Sequence, residues 1–174
     1  MIHPVDTILS FVLLSILFSF GSSRLPGLIK IIAFQGVVVS LVPMFIGHDF
    51  TTGGVVFNLA TMLIRGIIIP LSIAFAIKKV AIRREVEPII GYHASILAGL
   101  IIIVAATYLS RGFSIPSISD SVLLLPTSIT LLVGGMFILM ARRNAIAMVL
   151  GYIMMENGIY LVGTTFSVRT HHIV

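Results

Sequence analysis

Two ionisable residues stand where such residues cost most. Arg65 interrupts the otherwise apolar stretch 50–77, and Glu156 interrupts 144–168. At a helical rise of about 1.5 Å per residue, Arg65 lies roughly 18 Å from one end of its stretch and Glu156 roughly 16 Å from one end of its own. Both depths are close to the middle of a bilayer. A charge there costs about 2.5–3.5 kcal/mol on insertion scales, so neither side chain is expected to face hydrocarbon without compensation. For Glu156 two roles stay open. Burial raises a carboxyl pKa and a nearby cation lowers it, so a site held between those influences loads and releases a proton near neutral pH. The alternative is a static ion pair that fixes helix packing. Arg65 remains protonated at ordinary pH and can compensate or tune a carboxylate, but cannot relay by losing its own proton.

The neighbourhood of Glu156 is polar for a membrane helix. Asn157 follows it, and Tyr152 and Tyr160 stand four residues before and after, on one helical face. Their hydroxyls are candidates for hydrogen bonds to the carboxylate, or for ordinary packing. His93 lies about one turn inside its apolar segment, where its titration range suits a relay and its position equally suits packing. Gln35, Asn58 and Thr61 are expected to bond between helices. His171 and His172 form a tail pair without metal spacing. The candidate proton path is therefore Glu156, Arg65, Asn157, Tyr152, Tyr160 and His93. No catalytic triad, phosphate loop or metal-spaced cluster accompanies it.

The elements that must position these residues follow from composition. Of 174 residues, 58% are hydrophobic and 10% charged, against roughly 25% charged in soluble domains. Residues 7–23, 31–48, 88–110 and 121–141 contain no Asp, Glu, Lys or Arg. Each run approaches the roughly 20 residues that carry a helix across a bilayer core. Continuous runs such as LAGLIIIVAATYL lack the alternation of a membrane β-barrel. The expected fold is an all-α, polytopic membrane bundle of about six helices, near 5–21, 28–47, 54–77, 89–109, 122–141 and 145–166. Pro43 and Pro70 fall inside two of them and should kink them. Gly134, Gly135, Gly151 and Gly158 are expected at helix contacts. The leading MIHPVD has no basic region, so 5–21 is expected to be a retained helix and not a signal peptide.

Charge placement sets an expected orientation. Arg24, Lys30, Lys78, Lys79, Arg83, Arg84, Arg142 and Arg143 follow helices 1, 3 and 5, and make eight of eleven basic residues. Arg111 and Arg169 lie on the other side. Positive charge stays cytoplasmic, so both termini are expected outside, in the cytoplasmic (inner) membrane. The linker 76–88 is expected to be a solvated loop or a short surface helix. The net charge of +5 follows from this topology, with no nucleic-acid partner. Cysteine is absent, which removes thiolate metal sites and iron–sulfur ligation from this chain.

The stretch GGMFILMARRNAIAMVLGYIMMENGIYLVG, residues 134–163, resembles hydrogenase-4 component E. That family is similar to a longer K subunit of respiratory complex I and to a small subunit of multisubunit Na⁺/H⁺ antiporters. The carrying features are Arg142-Arg143-Asn144, Gly151-Tyr152 and Met155-Glu156-Asn157-Gly158, with weaker echoes at Gln35, Arg65 with Pro70, and Ile90-Gly91. The resemblance implies a single membrane domain over 1–174: four N-terminal helices in 1–121, a K-subunit-like helix pair in 122–166 and a tail from 167. It implies a place in a complex I-like, membrane-bound hydrogenase-type assembly. Antiporter-like membrane subunits would be partners, and Ni-Fe and iron–sulfur centres would reside in other chains. Glu156 would be a proton station on a hydrated polar axis.

Two departures qualify that implication. Complex I K subunits carry their glutamate at the position of Ile153. Here the acid is three residues later, on roughly the same face and about 4.5 Å deeper. The family also continues past the position of Val174 into a further acidic helix, so either this chain is short or more sequence follows Val174. A structural adaptor that moves no ion, and a subunit of an antiporter without redox partners, are the competing functions.

Overall fold

The computed structural model describes residues 4–46, 52–80, 89–112 and 121–171. The Arg83 and Arg84 part of the 76–88 linker lies outside them, as does His172. The described residues form helices and no strands: α1 (Pro4–Gly21), α2 (Leu25–Ile46), α3 (Thr52–Leu63), a π-helical turn (Ile64–Ile68), α4 (Ile69–Val80), α5 (Tyr92–Gly112), α6 (Leu124–Ala141) and α7 (Ala145–His171). α3, the π turn and α4 form one continuous third crossing. Six helices are thus long and apolar enough to span a membrane, which makes this a multi-pass membrane protein. In a bilayer the backbone must satisfy its own hydrogen bonds, and helices of this length do so.

Four helices make the core. α1 contributes Leu9, Val12, Ile16 and Phe20, and α2 contributes Leu28, Ile32, Val39 and Val42, all buried. α6 places Leu124, Leu131 and Ile138 seven residues apart, and α7 answers with Ala147, Met154 and Leu161 at the same interval. Between those buried residues run small ones, also seven apart: Ser128 and Gly135 on α6, Gly151 and Gly158 on α7. A Cβ on Gly151 would stand 2.8 Å from the Leu139 amide nitrogen, and one on Gly158 2.6 Å from that of Leu132. The two backbones therefore touch, as small-residue packing allows in a solvent that offers no hydrophobic drive.

The outer crossings lie on this core. α5 packs on α1 and α6, and the third crossing packs on α2. Both leave large apolar side chains open, including Phe57, Leu71 and Phe75 on the third crossing and Leu97, Ile101 and Val104 on α5. Gln35 bonds between helices as expected. Its Nε2 donates to Ser15 Oγ at 3.0 Å and Ser19 Oγ at 3.4 Å on α1. Thr61 does not do so: its hydroxyl donates to the Phe57 carbonyl of its own helix at 2.9 Å. Asn58 makes no interhelical bond among the described residues. Both side chains are half-buried, on a helix that packs on α2 but has no buried residues of its own.

The helix ends explain the turn residues. Asn144 Oδ1 accepts from the Ile146 amide at 2.9 Å and caps α7. Asp6 of α1 caps α6 from outside, accepting from Ser121 Oγ at 2.7 Å and the Leu123 amide at 3.1 Å. Arg142 is not a solvated loop residue. It is 3% exposed, donates to the Phe20 carbonyl at 2.7 Å and lies over the Tyr92 ring at 5.9 Å. Burial pulls its guanidinium below the ordinary value, and the nearby Tyr92 opposes that. Arg24, Lys78, Lys79 and Arg143 mark the same end of the bundle, since α1, α4 and α6 finish there.

Candidate functional site

Pro70 shapes the element that carries Arg65. In a regular helix its ring would meet the Gly66 carbonyl, and it has no N–H to offer that carbonyl. The chain relieves this by widening one turn: the Ile69 amide bonds back five residues to the Ile64 carbonyl. Such π turns occur mostly as single bulges inside α-helices. Arg65 sits inside this one, near the middle of the third crossing. Glycines bring it close to α2. A Cβ on Gly36 would stand 2.8 Å from the Arg65 carbonyl oxygen, and a Cβ on Gly66 would collide with the Val37 side chain. The kink expected at Pro70 thus takes the form of a π turn beside a glycine contact.

From that position the Arg65 side chain reaches α7. Nη2 donates to Glu156 Oε1 at 3.2 Å and Nη1 to Asn157 Oδ1 at 3.0 Å. The guanidinium carbon lies 4.4 Å from the centroid of the Tyr160 ring. The planar guanidinium therefore engages a carboxylate, an amide and an aromatic face together, a combination that a lysine ammonium cannot reproduce. Arg65 is 14% exposed and Glu156 41% exposed. The pair is sheltered on the arginine side and open on the carboxylate side. Asn157 is buried, and its Nδ2 has no partner among the described residues.

Four of the six candidate residues are thus together: Arg65, Glu156, Asn157 and Tyr160. The role of Tyr160 differs from the expected hydroxyl bond, because its ring face receives the cation. Tyr152 is not brought into the group. It lies one turn away on the same open face of α7, 53% exposed, without a hydrogen bond to the carboxylate. His93 is not brought in either. It is exposed at the start of α5, a helix that packs on α1 and α6 and not on α7. The π turn and the Gly36–Arg65 approach were not recognisable as site features from spacing alone, although Pro70 five residues after Arg65 was the available signal. Among the described residues, no three His, Cys, Asp or Glu side chains gather as metal ligands.

The arrangement can hold a negative charge at mid-membrane and leave one face of it accessible. Proton exchange at Glu156 would change the charge beside a permanently charged guanidinium, and Arg65 would then retain Asn157 and Tyr160 as partners. No family model matches the chain, and no solved structure matches it. Among curated proteins, the uncharacterized protein Rv0085 of Mycobacterium tuberculosis is 24% identical over 144 residues, covering 78% of this chain and 62% of that protein. The similarity thus extends over less than two thirds of that relative's own length.

Proposed function

We propose that this chain is a membrane subunit of a complex I-like, hydrogenase-type oxidoreductase complex. In it, Glu156 serves as a proton station coupled to electron transfer in other subunits. The observation that carries the reading is the Arg65–Glu156 pair at mid-membrane, closed on the arginine side and open on the carboxylate side. A carboxylate so exposed cannot rest against lipid. Polar surface from a neighbouring membrane subunit, of the antiporter-like kind the family resemblance implies, would cover it and continue a hydrated path. Eight of eleven basic residues on one side support an orientation with both termini outside the cytoplasmic membrane.

A second reading has its own observation. Arg65 joins the third crossing to α7 through three partners at once, which is what a packing anchor in an ion-free adaptor would do. Glu156→Gln in the assembled complex separates the two, because glutamine keeps an acceptor for Arg65 and cannot carry the proton. Proton translocation by inverted vesicles, driven by the complex's electron donor, is expected to fall at least about tenfold, a modest value for loss of one proton-transfer group. Normal translocation in a normally assembled complex would remove the proton station and leave the adaptor.

A further inference from the structure

A trough of about 490 Å³ runs between α2 and the third crossing. Its lining is apolar except for two ammonium groups, Lys30 and Lys78. Small residues open it: Ala33 on α2, Gly66 in the π turn, and Pro70 and Ala74 beyond it. The same Pro70 that displaces the backbone at Arg65 therefore also lines this trough. Lys30 lies five residues into α2 and Lys78 two residues before the end of α4. Both are exposed and at the basic end of the bundle. From Lys78 to Gly66 the helix rises about 18 Å, close to the roughly 15 Å of one leaflet's hydrocarbon. A second trough of about 330 Å³ between α1 and α2 also has Lys30 on its edge, with Phe11, Phe18 and Phe34 as its aromatic wall.

We propose that the trough between α2 and the third crossing binds an anionic phospholipid, with its phosphate on Lys30 and Lys78 and an acyl chain lying along Ala74, Pro70 and Gly66. Two like charges converge at the mouth of an apolar slot, at the depth where long basic side chains reach the headgroups. A phosphodiester supplies the complementary charge, and the slot accepts the chain attached to it. The second trough offers the other chain a surface on the far side of Lys30. The slot seats identical acyl chains alike, since it reads no headgroup. Discrimination must then come from the headgroup, and basic sites between membrane helices favour anionic headgroups in this way. This inference is independent of the role of Glu156.

The test is native mass spectrometry of the full chain released from nanodiscs holding equal phosphatidylglycerol and phosphatidylcholine of identical acyl chains. Retention of phosphatidylglycerol over phosphatidylcholine is expected to be roughly thirtyfold, from two lysines near the surface. Lys30→Gln with Lys78→Gln is expected to abolish the preference. Lys79→Gln, at the same end but outside the trough, is expected to preserve it. Ala74→Phe fills the slot, keeps both charges and is expected to lower retention. Loss of preference in Lys79→Gln, or full retention in Ala74→Phe, would show diffuse surface charge and overturn the site. Equal retention of both lipids by the unaltered chain would overturn it outright. Displacement of the lipid by glycerol 3-phosphate would identify a site for a free phosphate ester instead of a lipid. Circular dichroism and gel filtration confirm that each variant is folded.

Discussion

The α6–α7 pair and the third crossing are held in opposite ways. α6 and α7 touch backbone to backbone along Ser128, Gly135, Gly151 and Gly158. The third crossing rests on α2 at Gly36 and Gly66 and reaches α7 through one long side chain, Arg65. Glu156 and Asn157 therefore belong to a rigid frame, while their cation belongs to a peripheral helix with most of its surface open. Close backbone contact leaves α7 little freedom to move. The arginine is the part of the pair that can shift, because its helix is tied by fewer contacts and broken by a π turn. The charged pair joins two regions of unequal rigidity.

The largest effect is expected where backbones touch. Gly135→Val would drive a side chain into the Met155 amide and the Gly151 carbonyl, and neither is a flexible side-chain tip that can swing away. A destabilisation of about 3 kcal/mol or more is expected, the upper range for overpacking, read as loss of monodisperse protein after extraction. Gly163→Val is the matched control, because a Cβ there meets nothing within 4 Å. Equal behaviour of the two variants would mean that α6 and α7 are not in backbone contact.

A smaller effect is expected at the joint between the regions. Arg65→Met leaves Glu156 without its cation and Asn157 Oδ1 without its donor, at a cost of about 1–3 kcal/mol for hydrogen bonds to charged groups. Because cysteine is absent, paired labels can be introduced cleanly at exposed sites. The Val133–Leu71 distance, from α6 to the third crossing, is expected to broaden in Arg65→Met. The Val133–Ile159 distance, from α6 to α7, is expected to stay fixed. Broadening of both would show that the arginine braces the whole bundle and that the two regions do not differ.

Six crossings were legible because runs of apolar residues have the length of a bilayer, and expected and observed bounds differ by a few residues. Glu156 and Arg65 were legible for a related reason: a charge deep in an apolar run has few structural explanations. Gly135, Gly151 and Gly158 were legible as contacts, but not as partners of one another. The rest depends on how helices rotate about their axes, which periodicity fixes poorly when a helix is apolar on all sides. Tyr152 and Tyr160 have the same spacing from Glu156, yet only Tyr160 faces the third crossing. Arg142 and Arg143 look alike as a basic turn, yet Arg142 is inside the bundle beneath Tyr92. His93 was separated from the site by the packing of α5, which no local pattern records.

The smallest expected effect tests the origin of the joint itself. Pro70→Ala restores an N–H opposite the Gly66 carbonyl and removes the ring that displaced it. The π turn then has no steric cause and is expected to revert to α-helix, turning Arg65 relative to α4. Total stability should change by less than about 1 kcal/mol, since a gained hydrogen bond offsets a lost contact. The change is expected in coupling: a double-mutant cycle of Arg65→Met and Glu156→Gln should give about 1–2 kcal/mol in the parent and below about 0.5 kcal/mol in Pro70→Ala. Unchanged coupling would mean that the arginine's own length brings it to α7 whatever the helix beneath it does. A fall would make Pro70, five residues from the charge, the residue that aims it.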